Sequence, residues 1–197
     1  MNHMDINDII ASRLSELRKS CGLTLATLAE RSGVSRSNIS LIERGESSAT
    51  ATVLDKLTTA LGVPLASLFE KPADGPFPLA RFRDQPVWTD PASGYVRRSL
   101  SPPVYSPIQM VEVSFPPRQR VAYETSTRNV DIFQQVWIIE GTMELTVGET
   151  LWCLETGDCL SMQLDRPISF HNPTDQAARY LVSVATQAHK SPKREEQ

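Results

Sequence analysis

Cysteine and histidine are scarce in this chain, with three of each among 197 residues. Cys21, Cys153 and Cys159 form no CxxC pair and are too few and scattered for a disulfide framework. Neither a stapled secreted scaffold nor a zinc ribbon is expected. Long apolar runs are missing too: no stretch approaches the roughly 18 uninterrupted apolar residues of a membrane-spanning helix. The opening MNHMDINDII lacks the basic-then-apolar order of a secretory signal. A cytoplasmic protein is the expectation. Nor does charge of one sign dominate, since the net charge is −3, which argues against bulk binding of polyanions. Residues 1–71 carry eight basic and eight acidic side chains, residues 72–118 five and four, and residues 119–197 seven and eleven. Any nucleic-acid role must come from a local surface of the first part.

What is present changes character near residue 70. Up to there the apolar residues recur at helical intervals. Ile10, Leu14, Leu17 and Cys21 lie four, three and four apart, a stripe that would place Cys21 in a core. Gly22 stands where a left-handed C-cap would end that helix. Thr24 and Ser35 are candidate N-caps for a second and a third helix, and Ser48 or Thr50 for a fourth carrying Val53, Leu54, Leu57 and Leu61. Pro64 suits the first turn of a fifth, ending near Phe69. Residues 71–79, KPADGPFPL, read as a linker. Beyond it, segments 95–101, 109–115, 134–140, 143–148, 150–155, 159–164, 168–172 and 180–186 are short and rich in β-branched and aromatic residues. Turn signals separate them at the spacing of an all-β barrel or sandwich.

Residues 24–45, TLATLAERSGVSRSNISLIERG, are the most specific stretch. Gly33 permits a sharp turn between two short helices, Ala29 lets them approach, and Val34 and Ile39 fill the space between them. Residues 10–69 closely resemble the helix-turn-helix domain of lambda repressor/Cro-like (XRE) regulators. The resemblance rests on Arg18, Gly22-Leu23-Thr24, Leu28-Ala29, Gly33-Val34-Ser35, Ile39, Ile42-Glu43-Arg44-Gly45 and Leu61-Gly62-Val63. It implies double-stranded DNA as partner, with the third helix in the major groove. Arg36, Ser37 and Ser40 would then face base edges, with Asn38 close by and Ser35 opening the helix. Arg36 has the fork to grip a guanine twice. Arg44 and the start of the second helix at Thr24 would position phosphates. Leu25 departs from the glutamine usual in that family. Arg18 and Glu43 match a paired Arg/Glu and imply an internal salt bridge.

Residues 105–186 resemble a small-barrel cupin, through WIIEGTMELTVGE, LETGDCLSM and PISFHNP. A metal-binding cupin would need histidines among Thr127, Arg128, Asn129 and Val130, a glutamate at Gln134 and a histidine at Ile168. None of these supplies the ligand, so no metal or other cofactor is expected. His171 neighbours Asn172 in a strand and should point away from both Asn172 and Phe170. Without metal, the cup is open to two readings. Tyr123, Thr125, Arg128, Gln134, Trp137 and Ile168 surround a pocket for an anionic or amide-bearing small molecule, or Gln134 and Ile168 fill the barrel core of a dimerisation platform. At least one of Arg97 and Arg98 is read as a solvated surface charge, and Cys153 and Cys159 as small buried hydrophobes.

The expectation is a two-domain chain. An all-α five-helix helix-turn-helix domain spans 6–70, a linker 71–79, and an all-β cupin domain (small β-barrel or jelly roll) 80–190. Its function is sequence-specific transcriptional regulation by a homodimer on an inverted-repeat operator, without enzyme activity. The alternative is a metal-dependent cupin enzyme with a helix-turn-helix-like N-terminal domain.

Overall fold

In a computed structural model of the chain, residues 5–69, 78–104, 106–124 and 130–188 are described. The head holds helices α1 (Ile6–Ser20), α2 (Leu25–Ser32), α3 (Arg36–Glu43) and α4 (Ala51–Leu61). Each starts on a side chain that accepts from a first-turn amide: Asp5, Thr24, Ser35 and Thr50. Gly33 and Gly62 end α2 and α4 at φ +68° and +74°, the left-handed region that glycine enters without a Cβ clash. Leu14, Leu28, Ile39, Leu54 and Leu57 are fully buried where the helices meet.

The fifth helix differs from expectation. Leu65–Phe69 forms a five-residue 3-10 helix, in which Ser67 N donates to Pro64 O at 3.0 Å. So short a segment after a proline closes i→i+3 turns only. The head therefore has four α-helices. Cys21 is also corrected. It is the C-cap of α1, one residue past the helical stripe, and it is exposed.

The body is two antiparallel sheets. One has the order β1-β2-β3-β10-β5-β8, from Val87–Thr89, Val96–Ser99, Ile108–Phe115, Ala178–Ala188, Val130–Glu140 and Cys159–Gln163. The other has the order β4-β9-β6-β7, from Arg120–Tyr123, Ile168–His171, Met143–Val147 and Thr150–Leu154. Period-two burial shows which face is inward: Ile132, Gln134, Val136 and Ile138 of β5 are buried and alternate with exposed Phe133, Gln135 and Trp137. The eight expected strand segments are all present. Strands β1 and β4, of three and four residues, were not expected, because their stretches carry no longer run of β-branched and aromatic residues. Cys153 on edge strand β7 and Cys159 at the start of β8 are exposed, not buried.

Residues 71–77 of the expected linker lie outside the described residues. Around them, head and body touch directly. Phe69 packs on Trp88 with ring centroids 5.5 Å apart. The carboxylate of Asp90, a buried body residue, accepts from Ala51 N at 2.8 Å, adding a second cap to α4 beside Thr50. Thr52 donates to Ala122 O at 3.2 Å, and Lys56 reaches Glu124 at 3.5 Å. The buried apolar side chains of head and body form one connected cluster. Among the described residues no helix is long and apolar enough to cross a membrane.

Candidate functional site

The α2–α3 pair is held rigidly so that one face of α3 is left free. The Gly33 amide bonds back to Ala29 O at 2.9 Å, closing α2, and the Ser35 hydroxyl accepts from Asn38 N at 3.3 Å, opening α3. Ile39 and Ile42 point into the head core. Arg36, Ser37, Leu41 and Arg44 are exposed, while Asn38 and Ser40 are half-buried. Arg44 forks onto Glu46 with two contacts of 2.8 Å and also donates to the Ser40 hydroxyl. That pair lies on the surface, where water competes with it, so Arg44 is cheaply redirected. Thr24 is exposed, its hydroxyl within 3.1 Å of Thr27 N as the cap of α2.

Behind this face, Arg18 of α1 binds Glu43 of α3 through Nε to Oε1 at 2.6 Å and Nη2 to Oε2 at 2.8 Å. Its Nη1 donates to Leu23 O at 2.8 Å, tying in the α1–α2 turn. Fork geometry of this kind is directional as well as strong. Sequence reasoning passed over Leu41. Its place four residues after Ser37 puts it on the same helix face, and it is 38% exposed.

In the body, Tyr123 and Ile168 are paired across β4 and β9, and Gln134 lies on the inward face of the opposite sheet. Thr125 and Arg128 lie outside the described residues. Gln134 and Ile168 are buried. His171 points outward, its Nδ1 2.8 Å from Glu144 Oε2. Asn172 is fully enclosed and donates to Phe115 O and Gln176 O, a turn-holding role.

The arginine pair on β2 splits between the two faces. Arg98 lies over the Phe82 ring at 4.2 Å, while Arg97 turns inward and is 7% exposed. Arg97 sits over the Phe69 ring of the head at 4.9 Å, and its Nε has no hydrogen-bond partner. Around it runs an aromatic wall: Tyr95 on Phe115 at 5.7 Å, Phe115 near Tyr180 at 6.3 Å, Tyr180 on Phe170 at 5.9 Å, and Phe170 against Tyr123 at 6.0 Å. The Tyr95 and Tyr123 hydroxyls close the ring at 3.2 Å. Burial raises the pKa of all three tyrosines, so they stay neutral hydrogen-bond donors at neutral pH. A separate cavity of about 760 Å³ opens at the head–body seam, lined by Arg13, Phe69, Arg81, Gln85, Ile108 and Met110 among others. Among the described residues no group of three or more His, Cys, Asp or Glu side chains could hold a metal ion.

A helix-turn-helix head with an exposed third-helix face, docked on a body of two antiparallel sheets, is the build expected of a DNA-binding transcriptional regulator. Comparison with known proteins agrees. The helix-turn-helix family model matches residues 14–68. The chain is 35% identical over 74 residues to the uncharacterized HTH-type transcriptional regulator y4dJ of Sinorhizobium fredii, covering 38% of this chain and 96% of that protein. It is 28% identical over 172 residues to the HTH-type transcriptional regulator SutR of Escherichia coli, covering 87% of this chain and 91% of SutR. A crystal structure of an HTH_3 family transcriptional regulator from Vibrio cholerae shares the fold, with a TM-score of 0.71 at 23% identity, covering 91% of this chain and 96% of that one. This chain belongs to the XRE-type helix-turn-helix transcriptional regulators, and DNA is its partner.

Proposed function

We propose that the chain is a sequence-specific regulator that reads an inverted-repeat operator as a homodimer in the cytoplasm. The observation that carries this reading is the exposed face of α3, which presents Arg36, Ser37 and Leu41 while Arg18 and Glu43 brace the helix from behind. Arg36 suits a guanine edge, Ser37 and Ser40 are adaptable donors and acceptors, and Leu41 fits a thymine methyl. Asn38 lies at the margin of this face. Thr24, Ser35 and Arg44 flank it and contact phosphates.

Dimerisation is assigned to the outer face of the six-stranded sheet. Ile108, Ala185 and Phe133 stand in one row across β3, β10 and β5. Ile108, Met110, Phe133 and Trp137 are 39–50% exposed, an apolar patch that a second copy would cover. Two heads so joined would reach half-sites about 10 base pairs apart or a multiple of a helical turn. The space between the sheets is the effector site. It does no metal chemistry, because Gln134 and Ile168 stand where the cupin resemblance needs ligands.

The test is selection of bound sequences from random DNA with the full chain, followed by titration. Arg36→Ala should keep the parent's melting temperature, relax preference at one base pair per half-site and weaken binding by roughly 1–3 kcal/mol. Phe133→Glu should shift the chain to monomer and weaken operator binding. No sequence preference in the selected pool would sink the reading.

A further inference from the structure

We infer that the space between the two sheets takes a small organic oxyanion, a carboxylate or a phosphate ester, gripped by the Arg97 guanidinium with the Tyr180 hydroxyl as a second donor. This rests on the reading of the body as an effector site and names the chemistry that site recognises.

The Arg97 side chain is aimed inward by its register. Its strand partners Trp88 on β1 and Val113 on β3 are both buried, and so is Tyr180, which pairs with Val113 from β10. A buried guanidinium stays charged and normally meets a carboxylate. Here it meets none: among the described residues Arg97 has no ion pair and no side-chain hydrogen bond, and its Nε is sealed off without an acceptor. Among the described residues it faces the Phe69 ring at 4.9 Å and the neutral phenols, and burial pushes its pKa down. A π face offsets part of a buried cation's lost hydration but accepts no fork of N–H donors. What the site lacks is a planar pair of acceptors, and an oxyanion supplies that pair.

Further donors stand ready. The Tyr180 hydroxyl has no hydrogen-bond partner among the described residues. One of the Tyr95 and Tyr123 hydroxyls donates to the other, which leaves the second phenol proton free to turn toward a ligand. The stacked pairs Tyr95–Phe115 and Phe170–Tyr180 make the surroundings of Arg97 apolar, which suits a short carbon skeleton. A cationic ligand is excluded by Arg97 itself. The site also touches the head. Phe69 lies under Arg97 and packs on Trp88, two residues before Asp90, whose carboxylate caps α4. An anion that neutralises Arg97 therefore changes its hold on a head residue.

The full chain is titrated calorimetrically with sodium pyruvate and sodium succinate in one arm and inorganic phosphate in the other. Sodium chloride at equal ionic strength is the reference, and melting temperature is followed in parallel. The expected result is saturable binding in at least one arm, with a higher melting temperature than in chloride. Arg97→Met should abolish the response. Arg97→Lys keeps the charge without the fork and should bind at least tenfold more weakly. The inference is overturned if no probe departs from chloride, or if Arg97→Met binds as the parent does. Should Arg97→Met fail to fold, the lysine variant decides: equal affinity overturns the site, a tenfold loss supports it. No DNA enters the measurement, so its outcome is independent of the operator reading.

Discussion

Arg18 in the head and Arg97 in the body are both largely withdrawn from water, and the two regions treat them in opposite ways. Arg18 is matched by Glu43 in a two-pronged bond and by a backbone carbonyl, so its donors are satisfied within the fold. Arg97 has ring faces around it and, among the described residues, no carboxylate. The head uses a buried charge to fix the angle between helices, which a DNA-reading surface requires to be constant. The body leaves a buried charge only partly compensated, by a ring face and without an ion pair among the described residues, which costs stability. Such a cost is tolerated where a ligand removes it, which is the ground for the anion site proposed at Arg97.

The widest separation of the two regions should come from alkaline pH. All four tyrosines lie beyond residue 94, and the head has none. Burial raises the folded-state pKa of Tyr95, Tyr123 and Tyr180 above the unfolded value of about 10. The folded chain then holds protons that the unfolded chain releases. Stability is intact below pH 10 and falls as the pH climbs toward the folded values, by about 1.4 kcal/mol per pH unit for each tyrosine. Denaturant midpoints measured from pH 8 upward should therefore drop steeply, together with a delayed phenolate absorbance. A flat profile through pH 11 would show the tyrosines to be hydrated and the interior open. Next in size is Glu43→Ala, which leaves Arg18 without its partner. Both side chains keep about a tenth of their surface in water (12% and 10%), so the loss should be about 2–3 kcal/mol, below the ~3–5 kcal/mol of a sealed pair. Urea unfolding measures it, and a parent-like midpoint would mean the pair is ornamental.

The contrast between the regions also explains how far the sequence was legible. The helix-turn-helix could be read because its determinants are local. Caps at Thr24, Ser35 and Thr50 and glycine stops at Gly33 and Gly62 lie within a few residues of what they control. The strands were read from runs of β-branched and aromatic residues between turn signals, and the stretches around β1 (Val87–Thr89) and β4 (Arg120–Tyr123) offer no run of that length. Cys21 was misplaced because the apolar stripe was carried one residue past the last helical position onto the cap itself, where the Leu17 and Lys19 carbonyls accept the closing bonds. The inward turn of Arg97 could not be read, because two adjacent arginines in a strand leave open which one faces in. The seam was illegible for a related reason: Asp90 caps a helix that starts 39 positions earlier, and no window on the chain connects them.

Asp90→Ala tests that seam with a smaller effect. It removes the acceptor for Ala51 N and for Ser93 N and Oγ, while Thr50 still caps α4. The expected loss is about 1–2 kcal/mol, typical of one cap. Proteolysis between head and body should quicken at the same time, because the two lose a buried polar tie. Unchanged stability with unchanged proteolysis would mean that Phe69 and Trp88 alone hold the head.

The smallest effect, and the sharpest use of the comparison, is expected from matched methionine substitutions at the two arginines. Arg18→Met strands the Glu43 carboxylate in a pocket built for a cation, so it should cost about as much as Glu43→Ala. Arg97→Met strands nothing, because no carboxylate faces it among the described residues. It forfeits a cation–π contact of up to about 2 kcal/mol and gains back the hydration cost of a buried charge, which is of similar or larger size. Stability should therefore stay within about 1 kcal/mol of the parent or rise. Parallel urea titrations of the two variants give the difference directly. A loss above about 2 kcal/mol in Arg97→Met would make Arg97 a scaffold residue like Arg18, satisfied by its rings, and would remove the reason for an anion to bind there.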